Sequence, residues 1–74
     1  MTYDYSKLSG RIREKYGSQE NFAVDLGLST RSMSLKMTGK IDFKQKEIIK
    51  SCALLEISEA EIPIYFFALK VQSR

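Results

Sequence analysis

Apolar residues recur along this chain at three- and four-residue spacing, in short blocks punctuated by single glycines and polar pairs. That is the period of amphipathic helices rather than strands. Leu8, Ile12 and Tyr16 form one such stripe, extended by Tyr5, and predict a first helix over residues 5–16. Gly10 within it costs about 1 kcal/mol relative to alanine, so packing must hold the segment, and Gly17 closes it. Ser18 then suits an N-cap, with Phe22, Ala23 and Leu26 as the buried stripe of a second short helix. Gly27 falls where the chain must stop and turn with positive φ. Leu28 tucks inward, Ser29 caps a third helix lined by Met33 and Met37, and Thr38-Gly39-Lys40 ends it. Asp42 with Gln45 is a capping-box pattern opening a fourth helix over about 43–55. Ile48, Cys52 and Leu55 make its inner stripe, with Phe43 and Ile49 flanking. Ser58 with Glu61 repeats the pattern for a fifth, and Pro63 is expected to stop or kink it near Ile62. The run from Ile64 to Val71 is too apolar for a free tail. Phe66 and Ile62 are expected to close the core, while the rest suits another short helix, an extended strand or a surface for a second subunit. The expectation is an all-α single domain, a compact bundle of about five short helices.

Residues 18–40 are the stretch around which the rest is arranged. Two short helices joined by a tight turn are a helix-turn-helix, and the second of them is shaped to enter a DNA major groove. Ala23 fits this arrangement, because steeply crossing helices bring their backbones close and exclude a large residue. The pattern Gln19-x-x-Phe22-Ala23-x-x-Leu26-Gly27-Leu28-Ser29, then Met33, then Thr38-Gly39-Lys40, resembles the helix-turn-helix of the phage repressor and Cro-type family. Beyond it, Tyr3 to Gly17 and Asp42 to Val71 resemble small phage proteins described as Cro-like regulators. The opening Tyr3-Asp4-Tyr5-Ser6-Lys7-Leu8, the core of the third helix and the late Ile62-Pro63-x-Tyr65-Phe66-Phe67 carry that likeness. One departure is Lys36, at a position that is usually apolar in the wider family, where Met37 would have to supply the contact.

Composition narrows the chemistry. Seventy-four residues leave room for one small helical core. With 43% apolar residues the chain is expected to fold. No run approaches the ~18 apolar residues of a membrane span and no signal-like segment opens the chain. Cytoplasmic residence is therefore expected, and the resemblance to phage proteins implies a bacterial host. The lone Cys52 cannot form an internal disulfide and sits on a helical stripe, where a thiol behaves as a small hydrophobe. There is no histidine, hence no Ser-His-Asp or Cys-His arrangement, and no plausible zinc site. The scattered carboxylates form no catalytic pair, and no phosphate-cradling Gly-x-x-x-x-Gly-Lys occurs. Neither an enzyme, a cofactor nor a small-molecule substrate is expected. The net charge of +3 hides an asymmetry. Residues 31–50 carry Arg31, Lys36, Lys40, Lys44, Lys46 and Lys50 against Asp42 and Glu47, whereas residues 51–69 carry only Glu56, Glu59 and Glu61. The basic block overlaps the third helix and suits a polyanion.

With Met33 and Met37 inward, helical periodicity turns Thr30, Arg31, Ser34 and Leu35 outward. Arg31 is the candidate base reader, since its planar fork matches guanine O6 and N7. Thr30 and Ser34 suit base edges or phosphates, and Leu35 a thymine methyl. The resemblance implies that Gln19, at the start of the second helix, contacts a phosphate, helped by the helix dipole. Ser18 and Ser29 are candidates for the same role, and Lys36, Lys40 and Lys44 would supply charge to the backbone without specifying sequence. Tyr65, Phe67, Leu69 and Val71 form a candidate surface for a protein partner. In related regulators a dimer sets two recognition helices about 34 Å apart, so a homodimer on double-stranded operator DNA is the leading expectation, with no membrane role.

Two functions then compete. One is a Cro-like transcriptional regulator of the choice between dormant and lytic growth. The other is an antirepressor or modulator that grips the co-encoded phage repressor and alters its operator binding. Modest net charge, Leu35 on the outer face and the apolar C-terminal segment favour the second. A DNA-binding antitoxin is the third reading, but the chain lacks the long disordered tail expected of one.

Overall fold

A computed structural model describes residues 3–70, and within them the chain is all helical apart from one isolated bridge. The helices are α1 (Ser6–Tyr16), α2 (Gln19–Leu26), α3 (Thr30–Met37), α4 (Gln45–Leu55) and α5 (Ile62–Phe66), the last preceded by a 3-10 turn over Glu59–Glu61. The five-helix expectation holds, and the reasons are local. Ser18 Oγ accepts from Asn21 N–H at 3.2 Å and Ser29 Oγ from Ser32 N–H at 3.1 Å, capping α2 and α3 as their sequence positions imply. Gly27 has φ +85°, and Leu28 N–H reaches back to the Ala23 carbonyl at 2.9 Å, the closing bond of a Schellman motif. Gly39, at φ +81°, closes α3 in the same way, with Lys40 N–H on the Leu35 carbonyl at 2.9 Å.

The core is one cluster. Leu8 and Ile12 from α1, Phe22, Ala23 and Leu26 from α2, Met33 from α3, Leu55 and Ile57 from α4 and its exit, and Phe66 from α5 are all buried together. Tyr5 joins them from the residue that precedes α1, and Tyr16, Met37, Ile48, Cys52 and Ile62 pack half-buried around the rim. Burying ten such side chains drives the fold, at roughly 1.5–3 kcal/mol for each large aliphatic or aromatic one.

Several expectations are corrected. Helix α4 starts at Gln45, not 43, and Asp42 does not cap it. Lys44 occupies the cap position, and Glu47 reaches back to accept from Lys44 N–H at 2.8 Å. That geometry turns Ser51 and Leu55 fully inward, leaves Ile48 and Cys52 half-buried, and exposes Ile49. Pro63 does not stop a helix; it sits in the first turn of α5, where the missing N–H costs nothing. The pattern at Ser58 and Glu61 does form, with Glu61 Oε1 accepting from Ser58 N–H at 3.1 Å, but it opens the 3-10 turn. After α5 the chain runs extended: Asp4 N–H donates to the Ala68 carbonyl at 2.6 Å and Tyr3 pairs antiparallel with Leu69. The two ends of the described chain are thereby clasped.

Candidate recognition surface

Helix α3 presents its outer face as its period requires. Thr30, Arg31 and Ser34 are exposed, and Leu35 is half-buried beside them. Met33 is fully buried and Met37 half-buried beneath. Gln19 is half-buried at the first position of α2, and Ser18 and Ser29 spend their hydroxyl acceptors on the capping bonds. Lys40 and Lys44 are exposed at the exit of α3 and the entry to α4, and Lys46 and Lys50 are exposed on α4. Lys50 Nζ also lies over the turn, 4.0 Å from where a Cβ on Gly27 would stand. The basic border at the exit of α3 and over the turn is therefore formed by Lys40, Lys44 and Lys50.

Lys36 does not belong to it. Its side chain is 6% exposed, and Nζ lies 2.9 Å from Glu47 Oε1, itself 14% exposed. The same ammonium donates to the Asp42 carbonyl at 2.9 Å. The expected phosphate contact is thus replaced by a buried ion pair between α3 and α4. The inward register usual for an apolar residue is kept, and the stem of the lysine fills it. Burial pushes the Glu47 carboxyl upward, but the Lys44 N–H and the hydrogen bond and charge of Lys36 outweigh it and hold the group below its ordinary value.

Arg11 is another residue with an unforeseen partner. Its Nε donates to the Leu55 carbonyl at 2.9 Å, and its Nη1 lies 2.8 Å from Glu14 Oε1. It therefore satisfies the carboxyl end of α4, where Glu56 adopts a left-handed conformation at φ +57°. No sequence signal points to it, since the partner is a backbone carbonyl 44 positions away.

The C-terminal surface divides. Tyr65 is half-buried against the core, whereas Phe67 and Leu69 are about half exposed. Val71 lies outside the described residues. Burial pushes the half-buried Cys52 thiol upward, away from the thiolate that nucleophilic chemistry requires. Among the described residues no group of three His, Cys, Asp or Glu could hold a metal ion, and no helix is long and apolar enough to cross a membrane.

The family model described as protein of unknown function (DUF739) matches residues 1–69. The chain belongs to that family. Among solved structures it is similar to the solution structure of the modulator of repression (MOR) of the temperate bacteriophage TP901-1 from Lactococcus lactis. The identity is 50%, the TM-score 0.81, and 97% of each chain is covered. No curated protein matches. The likeness therefore runs to a phage modulator of repression, and a Cro-type family is not shown.

Proposed function

We propose that this chain is a modulator of phage repression, acting in the cytoplasm of the bacterial host. It binds the repressor encoded alongside it and alters that repressor's hold on operator DNA, with no catalytic chemistry of its own. The observation that carries this reading is the 50% identity to the modulator of repression over 97% of both chains. The half-buried Leu35 and the exposed Phe67 are consistent with it, since apolar side chains at a surface favour a protein partner over a phosphate backbone. The test is a gel shift of the phage's intergenic operator DNA with repressor alone, with this chain alone and with both. A change in the repressor's shift without independent binding by this chain supports the reading. An unchanged repressor shift, with no complex of the two proteins by size-exclusion chromatography, refutes it.

A second reading, direct operator binding by α3, is favoured by the exposure of Thr30, Arg31 and Ser34 beside Lys40 and Lys44. On that reading a homodimer would place two α3 helices on successive major grooves. Arg31→Ala would then cost about 1–3 kcal/mol and relax preference at one base position, while Lys40→Ala would weaken all sequences alike. Independent, sequence-selective binding by this chain in the gel shift would favour it over the modulator.

A further inference from the structure

A cavity of about 240 Å³ opens where the N-terminal segment, the loop before α4 and the end of α5 meet. Tyr3, Tyr5, Phe43, Phe66 and Phe67 line it together with Ile48 of α4, Asp42 is its one charged residue, and no residue of α3 takes part. Three of its ring pairs stand nearly perpendicular, while Tyr3 and Tyr5 are tilted at 41° with centroids 6.2 Å apart. Tyr3 meets Phe67 at 84° with centroids 5.8 Å apart, Tyr5 meets Phe43 at 83° and 5.4 Å, and Phe43 meets Phe66 at 87° and 5.4 Å. Perpendicular rings around one space form walls facing different ways, unlike a stack, and the electron-rich faces of such walls attract cations. The volume falls below the ~300–1,000 Å³ of small-molecule sites, which suits the head of a single side chain.

Asp42 supplies the matching charge. Its backbone carbonyl is held by the buried Lys36 ammonium, which fixes the residue at the cavity mouth, while its exposed carboxylate makes no ion pair or hydrogen bond among the described residues. Burial and the negative field of Asp42 raise the Tyr5 hydroxyl above its ordinary value, consistent with a carboxylate close to the rings. An apolar anchor would have to desolvate that carboxylate without a counter-charge.

We propose that this aromatic box with its carboxylate receives a lysine or arginine side chain of the protein partner. The partner's being a protein rests on the modulator reading above; the chemistry of the box does not. The deciding experiment is an NMR titration of the full chain with N-acetyl-arginine amide and, separately, with the neutral isostere N-acetyl-citrulline amide. The arginine probe is expected to shift the ring resonances of Tyr3, Tyr5 and Phe67 further than the citrulline probe, and Asp42→Asn to erase that difference. Equal shifts from the two probes, or no shift from either, overturn the proposal. In the complex, Asp42→Asn and Phe67→Leu should each weaken repressor binding by roughly three- to thirtyfold, the range of a cation–π contact. Wild-type affinity in both variants would place an apolar group, or nothing, in the box. If the wild-type chain fails to bind repressor, the modulator reading falls while the probe titration still decides the box.

Discussion

Replacing Lys36 by methionine isolates the buried ion pair from the shape of the side chain that fills the site. The methionine can occupy the path of the lysine stem, but it strands the Glu47 carboxylate, of which only 14% is exposed. Removing one member of a fully enclosed pair costs about 3–5 kcal/mol. Here the Lys44 N–H still solvates the carboxylate and some water reaches it, so about 2–3 kcal/mol is expected. In a domain of this size that lowers Tm by roughly 10–20 °C, a large share of a total stability of about 5–15 kcal/mol. The double variant Lys36→Met with Glu47→Gln keeps an acceptor for Lys44 N–H and removes both charges. It should recover most of the loss, leaving a coupling of about 1–3 kcal/mol in a double-mutant cycle.

Acid supplies an independent check of the same pair. Because the folded-state pKa of Glu47 is depressed, its contribution is fully present above the ordinary carboxyl value and is lost as pH falls through the lowered folded value. The stability gap between wild type and Lys36→Met should therefore close as Glu47 is protonated. Urea denaturation followed by circular dichroism, at neutral pH and in acid, reads both effects. A Lys36→Met variant within 0.5 kcal/mol of wild type at neutral pH (about the noise of such cycles) would refute the buried pair. So would a gap that persists unchanged in acid.

Ser51→Ala should raise Tm, by about 1 kcal/mol of stability, because the buried Ser51 Oγ has no hydrogen-bond partner among the described residues; a thermal melt measures it. Two glycines should respond oppositely in the same assay. Gly27→Ala, at φ +85°, is expected to cost about 1–2 kcal/mol although a Cβ would meet nothing nearer than the Lys50 ammonium at 4.0 Å, whereas Gly10→Ala, in α1 with nothing within 4 Å, should gain up to about 1 kcal/mol. Arg11→Gln should lower Tm by freeing the Leu55 carbonyl, and hydrogen exchange at the last turn of α4 should speed up with it.

The elements whose causes are local were legible in the chain. Leu8 and Ile12, Phe22 with Ala23 and Leu26, and Met33 announce their burial by spacing, since a helix of fixed period turns them to one side wherever it lies. Gly27, Ser18 and Ser29 carry their conformations in their own chemistry, so the caps of α2 and α3 and the turn between them could be placed before any fold was known. The outward face of α3 followed from the same period. Its partner did not, because the spacing that suits a DNA groove equally builds a surface for a protein.

What remained hidden depends on groups far apart in the chain. Lys36 reads as a surface cation until Glu47 and the Asp42 carbonyl are brought against it, because burial of a charge is set by its compensating neighbours and not by its own type. The rotation of α4 could not be taken from Ile48, Ile49 and Cys52, since its cap begins at Lys44 and contact with the other helices decides which side is covered. The aromatic box is assembled from Tyr3, Phe43 and Phe67, residues that share no periodicity and meet only when Tyr3 is paired with the segment after α5. Short-range pattern thus specifies the helices and their inner faces, while long-range packing alone selects the counter-charges and the cavities, because those are properties of the space between elements.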